Sequence, residues 1–212
     1  MSSTSLLDIK LKGNPWGIRG IGDSDITVIR SAWDRDVEGQ AIHAQRLICS
    51  LLSALHGEGW VLMQSTDISN VLYDADTLLF RHQIPAPAPQ QWFSLVFYSQ
   101  HKLRFVDAPR ALCLRVVEHF AAQKMEMKFK EHGKVEGCSE IKFAGQGWSY
   151  ISYDTMKSRM MFLDLLECLE ESGWTLYASV EQNTRGDEKG VTDTWYCCRP
   201  VGWVEGNPVY HN

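Results

Sequence analysis

The chain contains itself twice, and that repeat constrains its fold more than any single residue. Asp8-Ile9-Lys10-Leu11-Lys12-Gly13 aligns with Glu140-Ile141-Lys142-Phe143-Ala144-Gly145, and Trp16 and Trp148 follow at the same distance. Ile48, Leu51, Leu52, Leu55, Gly59 and Trp60 align with Phe162, Leu165, Leu166, Leu169, Gly173 and Trp174. Asp76-Thr77-Leu78-Leu79-Phe80 aligns with Asp193-Thr194-Trp195-Tyr196-Cys197. Three blocks in one order define an internal duplication, which fixes architecture before chemistry. Trp16 and Trp60 stand 44 residues apart but Trp148 and Trp174 only 26, so the first copy carries a Gly-rich insertion within 13–40.

Periodicity assigns the elements of each copy. Residues 6–12 alternate as a half-buried strand. Ile48, Leu51, Leu52 and Leu55 follow helical spacing, which predicts a helix over 38–56 stopped by Gly57 and Gly59. Strands follow at 60–66 and 76–82. The second copy repeats the plan with a strand near 140, a helix over 154–171, and strands at 174–181 and 193–199. Ile84-Pro85-Ala86-Pro87-Ala88-Pro89 reads as a stiff spacer. Beyond it come a hairpin, 92–99 with 102–106, and a middle helix over 109–122. The division is therefore 1–83 for the first repeat, 84–136 for the spacer, hairpin and middle helix, and 137–212 for the second repeat and tail. The expected fold class is α+β: two strand-helix-strand-strand repeats forming one sheet about a pseudo-twofold, with helices packed on one face.

Composition excludes several function classes. A chain of 212 residues, 44% hydrophobic and 22% charged, is an ordinary globular one. No apolar run is long enough to span a bilayer. The first residues lack the basic and apolar regions of a secretory signal, and five of the six cysteines lie in helix or strand patterns: Cys49, Cys113 and Cys168 in apolar helical ones, Cys197 and Cys198 in a strand. A reducing, cytoplasmic setting is the expectation. Formal net charge is −5, which argues against a nucleic-acid surface. Lys124, Lys128, Lys130 and Lys134 interleave with Glu126, Glu131 and Glu136 and read as a solvated ribbon, with docking to an anionic membrane surface as a weaker alternative.

Candidate functional residues are few. Eight tryptophans are present, and those at Trp60 and Trp174 suit a helix–sheet seam. Trp16 and Trp148 lie just after strands in Gly-rich turns, and Trp33 and Trp203 are the candidates for exposure as partner surface. Asp67, Asp76 and Asp193 fall on one rim of the repeats, where a turn or cap role competes with a ligand role. His119, His132 and Cys138 match no zinc spacing, and no nucleophile elbow or phosphate loop is present, so no metal and no cofactor is expected. These residues predict a non-enzymatic binding or scaffolding protein that uses exposed tryptophan and the seam between repeats. Its partner would be a protein, peptide or glycan, and open sheet edges predict a homodimer. The competing expectation is a small-molecule hydrolase or isomerase. Its acid and base would come from Asp67, Asp76, Glu181 and Asp193, or from His43 and His82.

Overall fold

A computed structural model describes residues 6–10, 16–20, 25–28, 37–66, 77–98, 101–133, 135–144, 155–180 and 193–209. The fold is α+β. The first repeat supplies β1 (Leu6–Lys10), α1 (Val37–Gly57), β4 (Trp60–Thr66) and β5 (Thr77–His82). Its insertion, expected to be irregular, contributes β2 (Trp16–Gly20) and β3 (Asp25–Val28). The middle segment forms β6 (Gln90–Tyr98), β7 (Lys102–Val106), α2 (Arg110–Ala122) and β8 (Met127–Glu131). The second repeat forms β9 (Cys138–Phe143), α3 (Thr155–Glu171), β10 (Thr175–Val180) and β11 (Thr194–Pro200). No helix among the described residues is long and apolar enough to cross a membrane.

The expectation of one sheet about a pseudo-twofold is replaced by two sheets. One runs β3-β2-β1-β5-β4 and the other β10-β11-β6-β7-β9-β8, with every pair antiparallel. In the first, β1 pairs directly with β5; in the second, β6 and β7 separate β11 from β9. The strand pairs β4–β5 and β10–β11 nevertheless share a register pattern. Leu62 faces Phe80 and Gln64 faces Leu79, with a bulge between, just as Leu176 faces Cys197 and Ala178 faces Tyr196 across a bulge. The glycine before each copy's tryptophan is left-handed, Gly59 at φ 88° and Gly173 at φ 82°, a conformation that costs a side chain strain.

Helices cover both faces of the six-stranded sheet, which corrects the expected single-faced layer. The cause lies in β6, where residues 93–97 are buried without a break. A strand buried on both sides needs cover on both sides. Phe93, Leu95, Leu103, Phe105 and Ile141 face α2 and α3, meeting Val116, Phe120, Leu165 and Leu169. The alternate residues face α1. Val106 and Cys138 pack on Ile42, and Ala178, Val180 and Tyr196 pack with Ile48 and Leu52. Leu78 and Phe80 of β5 belong to that last cluster, so α1 closes both sheets at once.

Polar contacts fix this packing. Arg46 of α1 donates two hydrogen bonds to Asp107, at 2.8 and 2.7 Å, and a third to the Glu136 carbonyl. The Asp107 bonds hold the guanidinium above its ordinary pKa. On the α1 side of the sheet, Arg104 and Glu140 form an ion pair of 2.6 Å with both side chains essentially fully buried. Lys130 reaches the other carboxylate oxygen at 3.1 Å. Burial pushes the Glu140 carboxyl up, but hydrogen bonds from Arg104 and Lys130 outweigh it and leave the group below its usual range. Removing one member of a buried pair strands the other charge. Glu140→Ala should therefore cost about 3–5 kcal/mol in urea unfolding. A loss below about 1 kcal/mol, the scale of an exposed pair, would contradict this placement.

Candidate functional site

An open groove lies where the C-terminal tail folds back on α3. After β11 ends, the Trp203 N–H donates to the Pro200 carbonyl at 3.1 Å and the Asn207 N–H to the Val204 carbonyl at 3.0 Å. Gly202 and Gly206, at φ 80° and 89°, take the left-handed turns this path needs. The tail thereby lays the Trp203 indole against Gly173, just past α3. A Cβ at Gly173 would stand 2.5 and 2.7 Å from two ring carbons and closer still to a third. The missing side chain is thus what admits the ring. Trp203 is half-buried as a result, not exposed as the aperiodic tail implied.

Arg199 completes the support. Its guanidinium lies 4.6 Å from the Trp174 ring and 5.8 Å from the Trp203 ring. It donates to the Ser172 carbonyl at 3.2 Å and to Gln91 at 3.2 and 2.7 Å. Burial lowers its pKa. Above this support opens a cavity of about 580 Å³ lined by Arg115, Glu170, Glu171, Trp203, Glu205 and Asn207, among others. Arg115 on α2 bridges to Glu205 on the tail at 2.6 Å, and that hydrogen bond raises the Arg115 pKa. The lining holds three carboxylates, one guanidinium and an indole. Its character is acidic and aromatic, suited to cations and unsuited to anions.

The seam between repeats is differently built. Edge strands β4 and β10 approach without forming a ladder, and the Leu62 N–H donates to the Tyr177 hydroxyl at 2.8 Å. Tyr177 occupies the β10 bulge, where burial pushes its hydroxyl up to about 12. His56, Trp92 and Tyr177 stack edge-on with centroids 4.8–5.7 Å apart. Burial lowers the His56 pKa and favours its neutral form. These rings line the described part of the seam.

Of the residues singled out by sequence whose side chains are described, Trp203 alone lines the groove. Asp193 is exposed and accepts a hydrogen bond from Ser179 at 2.7 Å. It precedes β11 whereas Trp203 follows it, so about 20 Å of strand separates them. Trp16 opens β2, where only its backbone is described; Trp33, Trp148, Asp67, Asp76 and Glu181 lie outside the described residues. His43 faces solvent on α1, and His82 sits 4.9 Å from the Trp60 ring. No group of acidic, histidine and cysteine side chains among the described residues can hold a metal ion. Glu170 and Glu171 end α3, and no motif in the sequence points to them, to Arg115 or to Glu205. One signal was available: two acids end α3 with no base in its last turn, against the helix dipole.

The Gly173–Trp203 contact supplies a direct test. Gly173→Ala should displace the indole and lower the unfolding midpoint by more than Gly202→Ala. Both positions have positive φ, but only Gly173 has ring atoms in the way. Equal effects of the two substitutions would show that the ring is not seated there.

No curated protein and no solved structure matches the sequence. One domain-family model matches residues 22–81 and 91–198, and the gap between its two stretches contains the Ile84–Pro89 spacer. Arg115, Glu170 and Glu171 lie inside the matched stretches, whereas Trp203 and Glu205 lie beyond them. Because the match runs in order over most of its length, the chain belongs to the family that this model defines.

Proposed function

We propose that this chain is a non-enzymatic binding protein, and that the Trp203 groove receives a cationic peptide segment of its partner. The observation that carries the reading is the lining itself. An indole held flat by Gly173 lies beside Glu170, Glu171 and Glu205, with a single cation, Arg115, already engaged by Glu205. A lysine or arginine side chain gains from both features: carboxylates for its charge and an aromatic face for its stem and head group. One such ring contact contributes about 0.5–2 kcal/mol. The Arg115–Glu205 bridge is exposed on both partners, so a competing ligand cation displaces it at little cost. A glycan or an anionic partner finds no comparable complement here. The hydrolase or isomerase reading loses support, since the described candidates, His43, His82 and Asp193, each face solvent or a local partner.

The test is calorimetric titration with a capped tetralysine peptide and a capped tetraglutamate peptide at low salt. Tetralysine should bind and tetraglutamate should not. Trp203→Ala should weaken tetralysine binding about tenfold, the equivalent of about 1.4 kcal/mol. Equal binding of both peptides, or an unchanged affinity in Trp203→Ala, would remove the groove from the account.

A further inference from the structure

Strand alternation sorts the mixed charges of the 124–136 segment onto two faces. Glu131 points to the α2 side, where Arg110 holds it at 2.9 Å. Lys128 and Lys130 point to the opposite side, where Lys130 reaches Glu140. On that side Lys128 stands directly opposite Lys142, and Lys142 directly opposite Lys102. Three lysines thus form one row across β7, β9 and β8, ending at the sheet edge. Tyr98 extends the row on β6, with the Lys102 ammonium 5.5 Å from its ring. Like charges directly opposite one another are destabilising. The nearest acids in register on that face are Glu126, two residue pairs beyond Lys128–Lys142, and Glu140, which is already held by Arg104 and Lys130.

The row terminates on an open edge. β8 is the last strand of its sheet among the described residues. The His132 N–H donates to the Cys138 carbonyl and the Ala144 N–H to the Glu126 carbonyl. Even-numbered residues of β8 therefore bond to β9, and Met127, Phe129 and Glu131 turn their backbone N–H and C=O groups outward. Lysine on an edge strand commonly serves to block unwanted pairing. That role does not explain Lys142 and Lys102, which lie one and two strands inside the edge.

We propose that β8 accepts an extended acidic segment of a partner protein as an added strand. The segment's carboxylates would continue the lysine row and neutralise it. Backbone pairing with Met127, Phe129 and Glu131 supplies affinity, and Lys128, Lys142 and Lys102 supply selectivity. A second copy of this chain is a poor occupant. In the register that overlaps the whole strand, Lys128 would meet the copy's Lys130, which removes β8 as a route to the expected homodimer.

Fluorescence anisotropy of a labelled peptide of alternating valine and glutamate tests this, beside an alternating valine–lysine peptide and a single-stranded oligothymidylate. The acidic peptide should bind, with affinity falling as salt rises. Lys142→Glu should weaken it about tenfold while raising the thermal midpoint, because the substitution relieves the row. Glu131→Pro removes an outward N–H and spares the ladder to β9, so it should abolish binding in a chain that still folds by circular dichroism. Lys128→Glu repeats the charge test if Glu131→Pro fails to fold. Tighter binding of the oligothymidylate than of the acidic peptide would overturn the proposal. So would indifference to both lysine substitutions, a lowered midpoint in Lys142→Glu, or dimerisation through β8.

Discussion

The arrangement depends on one helix lying between two sheets. Ile48 and Leu52 of α1 are buried in a single cluster with Leu78 and Phe80 of one sheet and Ala178, Val180 and Tyr196 of the other. Neither sheet has another cover for those residues among the described elements, since α2 and α3 occupy the opposite face. Burial of this kind stabilises each large apolar side chain by about 1.5–3 kcal/mol, and here the same side chains serve both sheets. The Arg46–Asp107 bonds then fix where the helix lands, with Ile42 over Val106 and Cys138.

The junctions that follow α1 and α3 show one local solution in two surroundings. Both helices are followed by a left-handed glycine and then tryptophan, and in both cases a bulge falls three residues after that tryptophan. In the first copy the Gln83 N–H donates to the Gly59 carbonyl at 2.8 Å, and the Gln83 carbonyl fills the space where a Cβ would stand. In the second copy the same space holds the Trp203 ring. The tail that brings Trp203 there also brings Glu205 to Arg115. A backbone requirement common to both junctions thus opens a groove at only one of them.

Element boundaries were legible because amphipathic period and glycine stops act locally. The helices fall at 37–57, 110–122 and 155–171, within a residue or two of their predicted limits. Sheet order was not legible. The run Phe93-Ser94-Leu95-Val96-Phe97 carries the relevant signal, since a strand without alternation is buried on both sides. Such a run shows that a second cover exists but does not say which helix provides it. Position in the tail singles out Trp203 in the sequence as a candidate for exposure, but not the companions beside which it is half-buried. Arg115, Glu171 and Glu205 meet through the tail's return, a tertiary event with no periodic trace. The lysine row was hidden for a related reason: linear interleaving of Lys and Glu looks neutral until strand alternation separates the two signs.

Native-state hydrogen exchange on Leu52→Ala tests the central claim most directly. Leu52 is completely buried, and such truncations cost about 2–5 kcal/mol. If α1 couples the sheets, amides of β5 and of β11 will lose protection together and by the same free energy. Loss confined to β4 and β5, with β6 and β11 as protected as in the parent chain, would show that the sheets stand independently and that α1 belongs to only one of them.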